Sequence, residues 1–140
     1  MKVFTSTIRL KTTKKKEEIK ITDQVEAVLL ESGVTEGFCL VFTGHTTASV
    51  HLNNADRDLE LDFHDFLDKL IPNKTTYRHN KGEYGKNADA HFKSLMVGNG
   101  LTLPVTRGRL ALGQWQALYF SEFDGPRSRL ISVKVMGRTK

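Results

Sequence analysis

The chain has 140 residues, 39% hydrophobic and 26% charged, which predicts one folded domain over residues 1–140 and excludes a disordered or low-complexity chain. Its net charge of +5 suits anionic partners, and no stretch approaches the ~18–20 apolar residues of a membrane span. A single cysteine, Cys39, excludes an internal disulfide, and the alternating start MKVFTSTIRL has no signal-peptide core, so a cytoplasmic setting is expected.

Val3–Leu10 alternates, with Val3, Thr5, Thr7 and Arg9 on one face and Phe4, Ser6, Ile8 and Leu10 on the other, so it reads as a strand. The lysines of KTTKKK follow as an exposed turn that keeps a strand edge soluble. A short strand at Glu18–Ile21 leads into a helix over TDQVEAVLLESG. Thr22 or Asp23 can cap it, Glu26 completes a capping box, Gly33 ends it, and Val25, Val28 and Leu29 form its apolar face. Phe38–Phe42 is a continuous apolar run that predicts a buried strand holding an inert Cys39. ASVHLNN alternates again, with Val50 and Leu52 opposite Ser49 and His51.

The clearest helix is DRDLELDFHDFLDKLIP. Leu59, Phe63, Phe66, Leu67 and Leu70 form its stripe, Asp56 caps it and Pro72 marks its end. Asp58, Asp62, Asp65 and His64 lie off the stripe, on a face expected to be solvated. A short helix follows at about Ala88–Val97, then strands at Leu101–Thr106, Leu110–Phe120 and Arg129–Val135. Mostly consecutive strands with two main helices predict an α+β fold: a twisted or sandwiched antiparallel sheet.

Five histidines, His45, His51, His64, His79 and His91, give metal-ligating potential, since three imidazoles with one open position make a catalytic zinc site. Their spacing matches no local metal motif, so any such site must be assembled by the fold. In YRHNKGEYGKNADAHFKS, Asp89 is two residues before His91; it is either an acid favoured at a helix start or a carboxylate that holds a metal or orients an imidazole. TGHTTAS places His45 at a strand end among hydroxyls, including Thr47, that bind a phosphate or satisfy their own backbone. Gln114 and Gln116 among apolar residues of LALGQWQALYF point to a subunit interface or a pocket wall. In SEFDGPRSR a turn at Asp124-Gly125-Pro126 is flanked by Glu122, Arg127 and Arg129, and an arginine there can clamp a phosphate.

Taken together, HTTAS (His45–Ser49), NADAHFKSLMVG (Asn87–Gly98), LPV (Leu103–Val105), GRLALGQWQ (Gly108–Gln116) and EFDGPR (Glu122–Arg127) resemble the YjbQ-like family, often labelled secondary thiamine-phosphate synthase. Asn54, Gly100 and Gln114 depart from that pattern, where Glu, Ser and Thr are usual. The resemblance implies a two-sheet β-sandwich with flanking helices, a homotrimer, and a divalent metal bound by His45, His79 and His91: zinc, or magnesium where the substrate is a diphosphate. It implies an enzyme acting on a small phosphorylated substrate, joining hydroxymethylpyrimidine diphosphate to thiazole phosphate, or a metal-assisted phosphate-ester hydrolase. Asp89 and Glu122 would then be proton acceptors, and Arg127, Lys93 and Thr47 would bind the substrate. The alternative is a non-enzymatic basic trimer that binds nucleic acid or another anion through the Lys14–Lys16 run.

Overall fold

A computed structural model describes all residues, 1–140. Eight strands and three helices run in the order β1 (Lys2–Lys11), β2 (Glu17–Lys20), α1 (Thr22–Ser32), β3 (Glu36–Phe42), β4 (Ala48–Asn54), α2 (Arg57–Leu70), α3 (Ala88–Val97), β5 (Gly100–Thr106), β6 (Arg109–Leu110), β7 (Gln116–Glu122) and β8 (Ser128–Arg138). A 3-10 turn at Arg78–Lys81 precedes α3. Two antiparallel sheets result, one ordered β1-β8-β3-β5-β6 and the other β2-β7-β4. This is the expected α+β sandwich. No helix is long and apolar enough to cross a membrane.

Alternation decides what each sheet buries. Ile131, Val133 and Val135 of β8 pair with Ile8 of β1 and with Val41 and Cys39 of β3, and all point inward. Ala48, Val50, Leu118 and Phe120 face them from the smaller sheet, and Val25, Val28 and Leu29 of α1 join the same cluster. Each valine, leucine, isoleucine or phenylalanine among them contributes about 1.5–3 kcal/mol on full burial.

α1 begins at Thr22 without a side-chain cap, because the Thr22 hydroxyl accepts the Leu118 N–H (2.9 Å) and ties the helix start to β7 instead. Gly33 closes the helix as expected, in the left-handed region at φ 72°.

Three expectations are corrected. β3 is not buried on both faces: Phe38 and Phe42 stand outward, half-exposed, while Cys39 and Val41 are fully buried. The apolar stripe of α2 is only partly used. Leu67 is buried, but Phe66 and Leu70 are exposed, and His64 turns inward to place its Nε2 2.9 Å from Glu18 Oε1. The sheet face under α2 carries Glu18, His51 and Tyr119, so the helix meets it with polar groups: Glu60 accepts the Tyr119 hydroxyl (2.7 Å). The strand expected at Leu110–Phe120 is broken into β6 and β7. Residues 111–115 form a loop in which the Gln116 side chain accepts the Gly113 N–H (2.8 Å), and Trp115 is exposed.

Candidate anion-binding site

Three segments converge at one end of the sandwich: the loop between β3 and β4, the start of α3, and the turn between β7 and β8. They enclose a cavity of about 520 Å³ lined by His45, Thr46, Thr47, Asn87, His91, Arg127, Ser128 and Arg129. Every lining residue is polar and none is acidic.

Arg129 lies in phase with the buried residues of β8, so its guanidinium enters the protein beneath the cavity. It donates from Nε to Glu122 Oε2 (2.7 Å), and from Nη2 to Thr47 Oγ1 (2.8 Å) and to the second Glu122 oxygen. Glu122 also accepts the Thr12 hydroxyl (2.8 Å) and the Asp124 N–H (3.0 Å). These bonds fix Arg129 and leave its Nη1 without an intramolecular partner.

Arg127 is held from outside. It donates to the Asp124 carbonyl (2.7 Å) and carboxylate (2.8 Å). Burial would raise the Asp124 carboxyl, but hydrogen bonds from Asn87 and Arg127 overcome that and hold it below the usual carboxylate range. Asn87 donates to Asp124 (2.7 Å), and its Oδ1 accepts from His79 Nε2 (2.7 Å). The His79 ring stands edge-on to His91, with centroids 4.9 Å apart. Arg127, Asp124, Asn87 and His79 thus form one chain of hydrogen bonds along the cavity rim.

His45 accepts the Leu130 N–H at Nε2 (3.0 Å), which places the proton of the neutral ring on Nδ1. Partial burial and the nearby Arg129 and Arg127 charges hold its pKa below the usual imidazole value, against the opposing pull of Glu122. The ring is therefore neutral at pH 7.

Of the residues singled out from sequence, His45, His91, Thr47 and Arg127 line this cavity, and His79 stands behind Asn87. Asp89, Lys93 and Glu122 do not line it. Lys93 is 1% exposed and donates to Asp89 (2.9 Å) and Asp68 (2.6 Å). The Asp89–Lys93 pair therefore faces inward, where a buried ammonium requires carboxylates around it. Glu122 is likewise fully buried against Arg129. As placed, these three position their neighbours and do not reach a ligand.

The three histidines do not present three ligand nitrogens to one point. No group of three His, Cys, Asp or Glu side chains has the geometry to hold a metal ion, His45 Nε2 is taken by a backbone N–H, and His79 Nε2 by Asn87. The donor set in this arrangement does not fit the zinc centre that the resemblance implies.

Arg129 and Asn87 carry more of the site than sequence reasoning gave them. An arginine alternating in register with Ile131, Val133 and Val135 was the available signal, because a charge on an apolar face must have a buried partner.

The family pattern described as UPF0047 protein YjbQ-like matches residues 6–138. A UPF0047 protein of Archaeoglobus fulgidus is 45% identical over 129 residues, covering 92% of this chain and 98% of the relative. The UPF0047 protein YugU of Bacillus subtilis is 45% identical over 133 residues, with 94% and 98% covered. Among solved structures, a YbjQ-like protein of unknown function from Sulfolobus solfataricus superposes with a TM-score of 0.93 at 34% identity, covering 98% of this chain and 99% of that one. A YjbQ/UPF0047-family protein from Clostridium acetobutylicum gives 0.87 at 39% identity, covering 94% and 99%. With the pattern matched from Thr5's neighbour Ser6 to Arg138 and relatives aligned over nearly their whole length, this chain belongs to the YjbQ-like UPF0047 family.

Proposed function

We propose that the chain is an enzyme that binds a small phosphorylated substrate in the histidine–arginine cavity. The observation that carries this reading is the lining: two guanidinium groups, two imidazoles and three hydroxyls with no carboxylate among them. A phosphate group needs that set of donors, and an acid-free wall avoids repelling it. Arg129 Nη1 and the exposed end of Arg127 would meet the anion, and His45 would donate from Nδ1. His91 makes no intramolecular side-chain hydrogen bond, which suits it to carry a proton to or from the bridging oxygen as a phosphate or pyrophosphate departs. Thiamine-phosphate synthesis, with pyrophosphate leaving, and phosphate-ester hydrolysis both fit these roles.

The test is direct assay of purified, tag-free protein with hydroxymethylpyrimidine diphosphate plus thiazole phosphate, and separately with a set of phosphomonoesters, alongside His91→Asn. Pyrophosphate or phosphate release that falls at least about tenfold in the variant supports the reading. The absence both of turnover and of phosphate binding by calorimetry would overturn it.

We also propose that the chain assembles as a homotrimer through the outer face of the larger sheet. Val3, Phe38, Phe42 and Leu130 stand half-exposed on that one face. Lys134, Arg9 and Ser132 share this face with them, and apolar groups ringed by polar ones on an exposed sheet suit a subunit contact.

A further inference from the structure

We infer that the ligand site extends past the first cavity into a second hollow over residues 73–86, so that the natural ligand is a small molecule carrying two separated phosphate groups. This rests on the phosphate reading of the first cavity. The hollow, of about 600 Å³, is lined by Lys74, Lys81 and Lys86 with only polar or glycine neighbours and no carboxylate. Segment 73–87 holds Lys74, Arg78, Lys81 and Lys86 against a single acid, Glu83, which does not line the hollow.

Three features make this more than a solvated loop. First, the lysines are unpaired. Lys74, Lys81 and Lys86 make no ion pair, as most lysines of this chain do not, but these three border one concavity that holds no acid. Like charges gathered round one concavity repel one another and are relieved by an anion.

Second, the hollow is built in advance. Asn80 is 7% exposed, and its amide donates to Asn73 Oδ1 (2.7 Å) and to the Lys74 carbonyl (2.7 Å). Its Oδ1 accepts the Ala88 N–H (3.0 Å), and Asn73 donates to the Lys86 carbonyl (2.7 Å). One buried amide thereby stitches both rims of the hollow to the first residue of α3. A ligand would find the rims of the hollow already ordered, which lowers the ordering cost of binding.

Third, the two cavities meet at consecutive residues of the chain. Lys86 borders the hollow, and the next residue, Asn87, borders the histidine–arginine cavity. Consecutive Cα atoms lie about 3.8 Å apart. A short molecule crossing this single stretch of chain would place one phosphate on Arg127 and Arg129 and the other on the lysines. Lysine is a point charge for such a group, while the first cavity offers directional donors. The first cavity would therefore hold the reacting phosphate and the hollow the remote one.

The experiment is calorimetric titration at fixed ionic strength with methyl phosphate and with the bisphosphates of propane-1,3-diol, pentane-1,5-diol and octane-1,8-diol. Wild type is compared with Lys81→Ala/Lys86→Ala, whose two side chains are exposed and whose fold is checked by its urea midpoint. Two-point attachment raises affinity by about 10²–10⁴ at best. The expected result is a gain of at least tenfold over methyl phosphate for one spacer length, lost in the double variant, with methyl phosphate affinity unchanged. Methyl phosphate binding with no gain at any length would overturn this inference and leave the first cavity's reading intact. No binding of methyl phosphate would overturn both. A single-stranded oligonucleotide that binds tighter than every bisphosphate would overturn the small-ligand assignment.

Discussion

Glu122 and Arg129 form a buried ion pair at the floor of the cavity: the carboxylate side chain is 0% exposed and the Arg129 side chain 3%. Removing one partner of such a pair leaves an uncompensated buried charge, at a cost of about 3–5 kcal/mol. Glu122→Ala is therefore expected to lower unfolding free energy by that amount, read from urea midpoints. It should also weaken anion binding, because Arg129 loses the partner that aims it. A loss below about 1 kcal/mol, the range of an exposed pair, would show that the pair is not buried as described.

Arg127 and Lys93 should behave in opposite ways. The Arg127 side chain is 53% exposed, so Arg127→Ala should leave stability within about 0.5 kcal/mol. It should weaken phosphate binding about tenfold, the worth of one charge-assisted hydrogen bond. Lys93→Ala should destabilise strongly, since the buried Asp89 would lose its only cation while Asp68 keeps Lys16, and should change phosphate affinity little in whatever fraction folds. Calorimetry and unfolding on both variants check the pair. Equal loss of affinity in both would contradict the placement of Lys93 outside the cavity.

Most of the framework was legible because it is written in local periodicity. The alternation of Val3–Leu10, the capped helix from Asp56 and the glycine stop at Gly33 all appear where the pattern puts them. What failed were features decided across elements. His64 looks solvated on its own helix and is drawn inward only because Glu18, from a different sheet strand, lies beneath it. Likewise Lys93 and Asp89 read as anion contact and base, yet Asp68 from α2 converts them into an interior network. The cavity itself joins residues from 45, 87 and 127, separations that no short motif spans. One departure from the family pattern does acquire a reason: a Cβ at residue 100 would stand 3.2 Å from the Phe42 ring, so Gly100 leaves that ring its room. Asn54 and Gln114 border a shallow surface pocket beside Trp115, away from the histidines.

Acid should weaken the fold in two stages. Burial lowers the pKa of His51, and His64 lowers it further, against the opposing pull of Glu18; the ring packs between Phe63 and Tyr119. Its Nε2 is 3.1 Å from Glu18 without being aligned to donate. The unfolded chain binds a proton here at about pH 6.5, whereas the folded chain does not. Stability is thus full above that pH and falls as pH drops below it, until the folded ring titrates as well. Asp68 and Asp124 are held below the usual carboxylate value by Lys16 and Lys93, and by Asn87 and Arg127, which overcome the effect of burial. Their contribution is present above their unfolded pKa, about 3.9, and is lost as pH falls through the lower folded values. Urea midpoints from pH 7.5 to 5 should decline in wild type and decline less in His51→Phe. An unchanged slope in that variant would assign the first stage to another group.

Cys39 should be inert while the chain is folded. Burial, with a smaller contribution from the Glu26 charge, pushes its thiol up to about 11, and the side chain is fully buried. A thiol-reactive chromogenic disulfide at pH 8 should label it only on unfolding, at a rate set by opening of the β3–β8 pair. Rapid labelling of native protein would mean that this strand opens easily.

The outer face of the larger sheet is the subunit contact proposed above. Phe38 and Phe42 stand two residues either side of Leu40 on β3, flanked on β8 by Met136 and Ser132 and on β5 by Pro104 and Gly100. Exposed aromatic side chains in the middle of a sheet gain nothing for a monomer and invite association. Phe42→Asp would place a charge within that contact, directly opposite Ser132 and Gly100, neither of them a cation. A buried unpaired carboxylate costs more than the contact supplies, so the variant should separate into monomers. Because Phe42 is 44% exposed, the subunit core should survive the change. Sedimentation equilibrium should therefore give wild type three times the 15.8 kDa chain mass and the variant one. The β3–β4 loop that carries His45 follows Phe42 directly, and Leu130, whose N–H holds the His45 ring, is 43% exposed on the same face. Phosphate affinity should consequently drop when the trimer separates. A monomeric wild type, or a monomeric variant with undiminished affinity, would show that the site is complete within one chain.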